Sequence, residues 1–461
     1  MSDKRPPLDV ISATTLVAAS MIGVGVYTTS GFTLAALSTP ERVIAAWIVG
    51  GLLAICGAIG YASLASRFSE SGGEYLFLSK TLHPAAGLMA GWVSLLAGFT
   101  GAIAIAALGL ETYLRPLLFD SMENRFNGEI AIPVVLLAAV LHTLGVRGAA
   151  RVQDWVVGLK FLLLIAFILF SFAMINRWPG LTPANATAVN SSGTSPLAVP
   201  PLDWLVFANQ LVWISFSYAG FNAAIYIASE IRDAERNVPR AMIGGTILVT
   251  LIYVVLNAIF VFSAPVATIT NGANISQIAA TAANAIGGDT LANSVRIVIV
   301  ISLFTSVSAL MMTGPRVYAK MADDGFFPRW FRFTEQAPTI AIWFQAMIAI
   351  VAISLATLKE LLGYLGLTLS VCSALTVAML FVIRRHDPQV KLLFGGVPAM
   401  IYVLGTLFLA TLYGVGEPKQ AAAALISVVV GGLLYGGIDQ RKSQPPPGNS
   451  SENQPGAQNA P

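Results

Sequence analysis

Residues 20–31, SMIGVGVYTTSG, place three glycines inside an otherwise apolar stretch. Glycine lowers helix propensity by about 1 kcal/mol relative to alanine, so the pair Gly23 and Gly25 lets the backbone leave helical geometry. In lipid, such a break is tolerated only where the backbone lines a polar cavity, because unpartnered N–H and C=O groups are costly there. The free amides near Gly23, Val24 and Gly25 would lie at the positive end of a helix dipole and could hold a carboxylate.

A second apolar stretch with a polar interruption begins the second half of the chain, LVWISFSYAGFNAAIYIASEIRDAERNVPRA. Its centre, from Phe216 to Asn222, mixes Ser217, Gly220 and Asn222 with aromatic residues. Two interrupted helices in corresponding positions, here the first and the sixth, indicate an inverted-repeat transporter with a binding site near the membrane midplane. For the first stretch alone, the alternative is that its glycines only permit close helix packing.

One lysine, Lys160, lies within a third apolar stretch, RVQDWVVGLKFLLLIAFILF. A charged residue at helix-centre depth costs about 2.5–3.5 kcal/mol on insertion scales, so Lys160 requires a partner or a function. If Trp155 marks the inner boundary of the span, Lys160 lies about 7–8 Å along the helix, and its long side chain could snorkel to the interface. The residues alone leave both alternatives open.

The elements that must position these residues are membrane helices. Of the 461 residues, 56% are hydrophobic and only 11% are charged, a composition that excludes a soluble globular protein. One span takes about 20 apolar residues, and about twelve such stretches are present. They begin near Val10, Val43, Ala85, Ile130, Trp155, Trp204, Ala241, Leu291, Ile340, Glu360, Leu393 and Gln420. We predict an all-α integral membrane protein with about twelve transmembrane helices.

The distribution of Lys and Arg predicts a protein of the cell membrane with both termini in the cytoplasm, because eighteen of the 26 fall on the side of the N terminus and seven on the other.

Residues 1–9 are predicted to be a cytoplasmic segment without a cleaved signal. The predicted transporter domain is 10–438, with helices 1–5 at about 10–176, helices 6–10 at about 203–384 and helices 11–12 at about 393–438. Residues 439–461, rich in Pro, Gln, Asn and Ser, are predicted to form a disordered cytoplasmic tail.

Several function classes are disfavoured by the sequence. Cys56 and Cys372 both fall in predicted spans and are interpreted as small buried thiols. The three histidines are scattered and lack metalloprotease spacing, so we expect no enzyme activity, no metal and no cofactor. The net charge of +3 is spread over loops and forms no basic face, so we expect no nucleic-acid partner.

Four stretches resemble one family of transporters. They are MIGVGVYTTSG, SRFSESGGEYLFLSKTLHP, FSYAGFNAAIYIASEIRDAERNVPRA and GPRVYAKMADDGFFP. Together they resemble the amino acid–polyamine–organocation permeases, including bacterial amino acid permeases and the L-type amino acid transporters. The resemblance implies a LeuT-type fold, in which five helices are repeated in inverted topology, helices 1 and 6 are broken, and two further helices follow at the C-terminal end.

The resemblance also implies a substrate site built from the two breaks. The substrate carboxylate would be held by Ile22, Gly23, Val24 and Gly25, and the amino group by carbonyls of Phe216, Ser217 and Ala219. Phe216 would act as a thin outer gate, and the Asn222 amide could reach the ligand. Val24 stands where several relatives carry serine, so the backbone amides alone would hold the carboxylate.

The resemblance favours a functional Lys160. In proton-linked and sodium-independent members a lysine at this point replaces the sodium ion, between the unwound first span and hydroxyls of the eighth, here Thr305 and Ser306. Lys160 could also exchange a proton during the transport cycle, and the sequence leaves both alternatives open. The implied function is sodium-independent amino acid transport by alternating access, either proton-coupled or by exchange.

The substrate class is predicted from the polar side chains near mid-depth. Spans three, six, eight and ten offer Thr100, Gly101, Thr368, Ser370, Cys372 and Ser373 there, but no carboxylate. A cationic side chain buried without a counter-ion would be costly, so neutral amino acids are expected. The alternatives are a permease for cationic amino acids or polyamines, and a membrane sensor that binds an amino acid without moving it.

Overall fold

The computed structural model describes residues 8–67, 73–119, 126–144, 149–178, 201–323, 325, 327–332, 338–387, 390 and 392–443. The α-helices are α1 (Val10–Met21), α2 (Val24–Leu37), α3 (Pro40–Ala65), α4 (Gly73–Thr81), α5 (Pro84–Val93), α6 (Ala102–Leu118), α7 (Ala131–Thr143), α8 (Ala149–Ala173), α9 (Trp204–Tyr218), α10 (Ala234–Phe262), α11 (Val266–Ile269), α12 (Ile278–Asp323), α13 (Thr339–Leu355), α14 (Leu358–His386), α15 (Val397–Gly416) and α16 (Pro418–Ser443). A π-helical segment, Ser94–Gly101, joins α5 to α6, and a 3-10 segment, Ala223–Glu230, follows α9. Over these residues the chain is helical, with no β-sheet.

Eight of the described helical stretches are long and apolar enough to cross a membrane, and α1 with α2 forms a ninth, bent by 43° at its break. Three further apolar helices are shorter: Ala131–Thr143, Val157–Ala173 and Thr339–Leu355. The prediction of an all-α integral membrane protein is therefore confirmed.

The first span breaks where the sequence places its glycines. Helix α1 ends at Met21, and Gly23 is extended, with φ −134° and ψ −156°. Helix α2 then begins at Val24 without a side-chain cap. Because the first N–H groups of a helix have no intrahelical acceptors, this start leaves backbone donors available.

The sixth stretch breaks between α9 and the 3-10 segment. Gly220 has φ +102°, a left-handed conformation that favours glycine. A Cβ atom at Gly220 would lie 2.8 Å from the carbonyl oxygen of Ser20, so this break also packs directly against the end of α1. The interruptions of the first and sixth stretches therefore meet in space.

Two structural features lie at the ends of the predicted transporter domain. Leu8 forms an isolated parallel bridge with Ile231: its N–H donates to Glu230 O at 2.8 Å, and its carbonyl accepts from Arg232 N at 2.9 Å. At the other end, α16 continues to Ser443, beyond the predicted boundary at 438. Residues 1–7 and 444–461, which hold most of the two predicted terminal segments, lie outside the described residues.

Candidate functional site

A cavity of about 1260 Å³ lies at the two helix breaks. All eleven residues predicted for substrate binding, gating and coupling line it: Ile22, Gly23, Val24, Gly25, Lys160, Phe216, Ser217, Ala219, Asn222, Thr305 and Ser306. These residues come from the first, fifth, sixth and eighth apolar stretches of the sequence, and helix packing brings them to one place.

The cavity extends along α1 to Leu8 and along α12 to Arg316, so it reaches the end of the bundle where Leu8 lies. Towards the opposite end, α2 packs tightly. The rings of Phe32 and Trp213 meet edge to face at 6.2 Å between centroids, and the Trp213 indole N–H donates to the Tyr413 hydroxyl at 3.3 Å. These contacts lie on the side of the first break away from Leu8.

The start of α2 provides the donors of the site. Gly23, Val24 and Gly25 line the cavity, and a Cβ atom built on Gly23 would meet no atom within 4 Å. The uncapped amides at this helix start therefore lie beside open space. Such an arrangement suits an anion, because the amides and the helix dipole both favour negative charge.

The carbonyl groups at the end of α1 are held by two side chains from other helices. The Lys160 ammonium donates to the carbonyl oxygen of Ile22, and the Tyr253 hydroxyl donates to that of Met21 at 2.6 Å. Lys160 is only 6% exposed, so its side chain turns into the protein. The snorkelling alternative is therefore wrong.

Tyr253 of α10 was not singled out from the sequence. Its hydroxyl also lies 3.1 Å from the carbonyl oxygen of Ser217, so one phenol contacts the backbone at both breaks. The available signal was its position in an apolar helix, since a buried tyrosine hydroxyl needs a hydrogen-bond partner. The sequence offers no indication of which partner it takes.

The hydroxyls of Thr305 and Ser306 lie on the cavity wall but bond within their own helix. Both donate to the carbonyl oxygen of Ser302, at 2.8 Å and 3.1 Å respectively. Among the described residues, no hydrogen bond joins either hydroxyl to Lys160. Their oxygen lone pairs remain available as acceptors.

Gly25 and Ser217 bring the two breaks into contact. A Cβ atom on Gly25 would lie 2.3 Å from Ser217 Oγ and 2.8 Å from its Cα, so only glycine permits this approach. The Ser217 hydroxyl lies 3.3 Å from that of Thr29. Beside this contact, the carbonyl oxygen of Phe216 accepts from the N–H of Ala219 at 3.0 Å and keeps a second lone pair.

The remaining two predicted residues occupy different parts of the wall. Phe216 is half-buried on the cavity surface. The Asn222 side-chain amide donates to Glu74 Oε1 at 3.1 Å, so it is held by a carboxylate in this structure.

Glu74 itself was missed by the sequence analysis, which considered spans three, six, eight and ten and found no carboxylate. It comes from the short helix α4, lines the cavity and is 4% exposed. Its Oε1 accepts hydrogen bonds from the Tyr61 hydroxyl at 2.5 Å and the Ser373 hydroxyl at 3.1 Å, besides Asn222. Burial raises the pKa of Glu74, and the hydrogen bonds from these donors oppose that shift.

The family model for amino acid permeases matches residues 8–434. The chain belongs to the amino acid permease family. It is therefore a member of the amino acid–polyamine–organocation superfamily, as its motifs indicate, and a transporter rather than an enzyme.

Three relatives show how far the similarity of this permease extends. It is 24% identical to the serine/threonine exchanger SteT of Bacillus subtilis, over 95% of this chain and 98% of that protein. It is 25% identical to the human large neutral amino acids transporter small subunit 2, over 94% of this chain and 80% of that protein. It is also 24% identical to the methylthioribose transporter of Bacillus subtilis, over 93% and 92% of the two chains.

Proposed function

We propose that this permease is a secondary active transporter that moves amino acids across the cell membrane by alternating access. The observation that carries the proposal is the meeting of two helix breaks at one cavity. One break offers uncapped amides at Val24 and Gly25, and the other offers the carbonyls of Phe216, Ser217 and Ala219. Donors suit a carboxylate and acceptors suit an ammonium, so the pair is complementary to an α-amino acid.

The proposed substrates are neutral amino acids. Glu74 is the buried carboxylate beside the sixth break, and its Oε1 already accepts three hydrogen bonds. A cationic side chain would have to share this carboxyl group with those donors. Two of the relatives transport serine and threonine, or large neutral amino acids, according to their names.

The proposed architecture is the LeuT-type arrangement of five plus five helices, followed by two more, with both termini cytoplasmic. The three shorter apolar helices, added to the nine candidate spans, would complete twelve. Breaks in the first and sixth spans occupy corresponding positions in two such repeats.

We further propose that transport does not require sodium, and that Lys160 is the reason. Its ammonium bonds to the carbonyl of Ile22, and Thr305 and Ser306 line the same cavity. A sodium ion about 4 Å from this charge would be repelled by roughly 4 kcal/mol at an effective dielectric of 20, which corresponds to about a thousandfold loss of affinity.

The test of the function begins with the purified protein and all proteinogenic amino acids. A ligand that binds only the folded state raises the thermal midpoint, so a neutral amino acid should do so, and a tighter ligand should raise it further. The amide of that amino acid and its decarboxylated amine should not raise the midpoint, because each lacks the carboxylate. Methylthioribose, which has neither an amino group nor a carboxylate, should not raise it either. Equal stabilisation by amine and amino acid would contradict the proposed site.

Uptake into proteoliposomes then separates a transporter from a sensor. The stabilising amino acid should accumulate or exchange across the vesicle membrane. If the amino acid binds but no labelled substrate crosses the membrane, the protein is a sensor and not a transporter.

A further inference from the structure

The carboxyl group of Glu74 joins three parts of the bundle at one oxygen atom. Its Oε1 accepts from Tyr61 on α3, from Asn222 at the start of the 3-10 segment and from Ser373 on α14. These residues are 13, 148 and 299 positions away from Glu74 in the chain. The hydrogen bonds therefore connect the polypeptide after the sixth break to α3 and to α14.

In the part of the chain that the structure describes, the titratable side chains that face the carboxyl group are neutral ones. The titratable groups that face it are the phenols of Tyr61, Tyr226 and Tyr402 and the thiol of Cys372, on α3, the 3-10 segment, α15 and α14. Phenols and thiols are neutral at pH 7 at their ordinary pKa values. Among the described residues, no ion pair includes Glu74. Within the described ranges, the negative charge is thus supported by neutral donors.

The two oxygens of the carboxyl group differ in their surroundings. Oε1 accepts the three hydrogen bonds named above, and Oε2 lies 4.0 Å from Sγ of Cys372. The hydroxyls of Ser94 and Tyr226 also hydrogen-bond to the carboxyl group. Because Glu74 lines the cavity, water in the cavity can reach this carboxyl group while the donors on Oε1 stay in place.

We propose that Glu74 is the proton-binding site of this permease, with the transported proton carried on Oε2. The inference rests on the proposed function of amino acid transport. The proton is taken from water on one side of the membrane and returned to water on the other, and only the O–H bond at Oε2 forms and breaks.

Protonation also changes how strongly the helices are joined. Hydrogen bonds to an ionised acceptor are roughly twice as strong as those between neutral groups. A protonated Glu74 therefore weakens its bonds to Tyr61, Asn222 and Ser373 together and eases the movement of the sixth-span segment relative to α14. Lys160 has a different part in this scheme, because it occupies the carbonyl of Ile22 and excludes sodium.

The test measures substrate and proton movement in the same proteoliposomes, with a labelled amino acid that stabilises the protein and a pH-sensitive dye in the lumen. One proton coupled to one substrate across one pH unit supports about tenfold accumulation. The wild type should show this accumulation and acidify the lumen. Glu74→Gln should abolish both gradient-driven accumulation and acidification, while counterflow exchange of labelled for unlabelled substrate persists.

Glu230→Gln is the matched control, because Glu230 is an exposed carboxylate on the same cavity. It should keep proton coupling. If Glu74→Gln still acidifies the lumen during uptake, or if the wild type accumulates nothing in a pH gradient while exchanging amino acids, the inference is overturned and the proposed function stands. If the wild type neither binds nor exchanges amino acids, the proposed function itself fails.

A second variant covers the case in which Glu74→Gln does not fold. Glu74→Asp keeps an ionisable group but shortens it, so it should retain coupling and shift the pH midpoint of uptake. An unchanged midpoint in Glu74→Asp would contradict proton binding at this residue.

Discussion

The ammonium of Lys160 donates a hydrogen bond to the carbonyl oxygen of Ile22, the residue at which α1 has already left helical geometry. A buried cation and the backbone of a broken helix thus satisfy each other. This relationship joins the fifth span to the first break, and it underlies the proposed sodium independence.

Replacement of Lys160 tests that relationship. Lys160→Ala leaves the Ile22 carbonyl without its donor, so uptake should fall by about tenfold or more. Lys419→Ala, at an exposed lysine, should leave uptake unchanged. Wild-type uptake should be the same in sodium and in choline buffers, and strict dependence on sodium would refute the role given to Lys160.

The contact between Gly25 and Ser217 gives a second prediction. Gly25→Ala places a methyl group 2.8 Å from the Ser217 Cα, so the breaks must separate and substrate affinity should drop by about tenfold or more. Gly23→Ala places its methyl group where no atom lies within 4 Å and should leave the thermal midpoint of the apo protein unchanged. Isothermal titration and thermal unfolding of both variants measure the two effects. Normal affinity in Gly25→Ala would show that the close approach is not needed for binding.

Removal of the Tyr253 hydroxyl should weaken substrate binding. Tyr253→Phe leaves the Met21 carbonyl unpaired at the first break, at a cost of about 1–3 kcal/mol, and we expect roughly tenfold weaker affinity. Tyr113→Phe is the control, since it loses a buried bond of 2.5 Å to the Tyr27 carbonyl but does not line the cavity. Both variants should lose stability, and only Tyr253→Phe should lose affinity. Equal affinities in the two would make Tyr253 purely structural.

Phe216 is predicted to occlude the substrate. Phe216→Ala removes a half-buried ring from the cavity wall, so transport should slow by about tenfold through lost closure and apolar contact. Phe207→Ala is the control, because it removes a half-buried ring from the same helix at a position that does not line the cavity. It should have little effect on transport. Unaltered uptake kinetics in Phe216→Ala would remove this residue from the gate.

The raised pKa of Glu74 predicts a dependence of stability on pH. The folded protein binds a proton on Glu74 more tightly than the unfolded chain does, in which the pKa of this residue is near 4.5. The contribution of Glu74 to the free energy of unfolding is therefore greatest below that value and declines as pH rises through the folded pKa. The thermal midpoint of the wild type relative to Glu74→Gln should fall over this range, and a constant difference would contradict the prediction.

The sequence by itself determined the membrane class, the approximate positions of the helices and both breaks. These features are local, because the length of an apolar stretch decides whether it can span lipid, and glycines decide where its helix can be interrupted. The motifs also identified the residues that meet at the cavity. The position of Lys160 within one helix did not show that its ammonium is buried or that its partner is the carbonyl of Ile22.

Only the tertiary structure decided which side chains complete the site. Glu74 is in a segment between predicted spans, and it reaches the cavity because α4 packs beside α14, which carries Ser373. Tyr253 is 232 positions from Met21 in the chain, and helix packing alone brings its hydroxyl to that carbonyl. Local sequence patterns record hydrophobicity and backbone preference, whereas the partner of a buried polar group is set by which helices lie side by side.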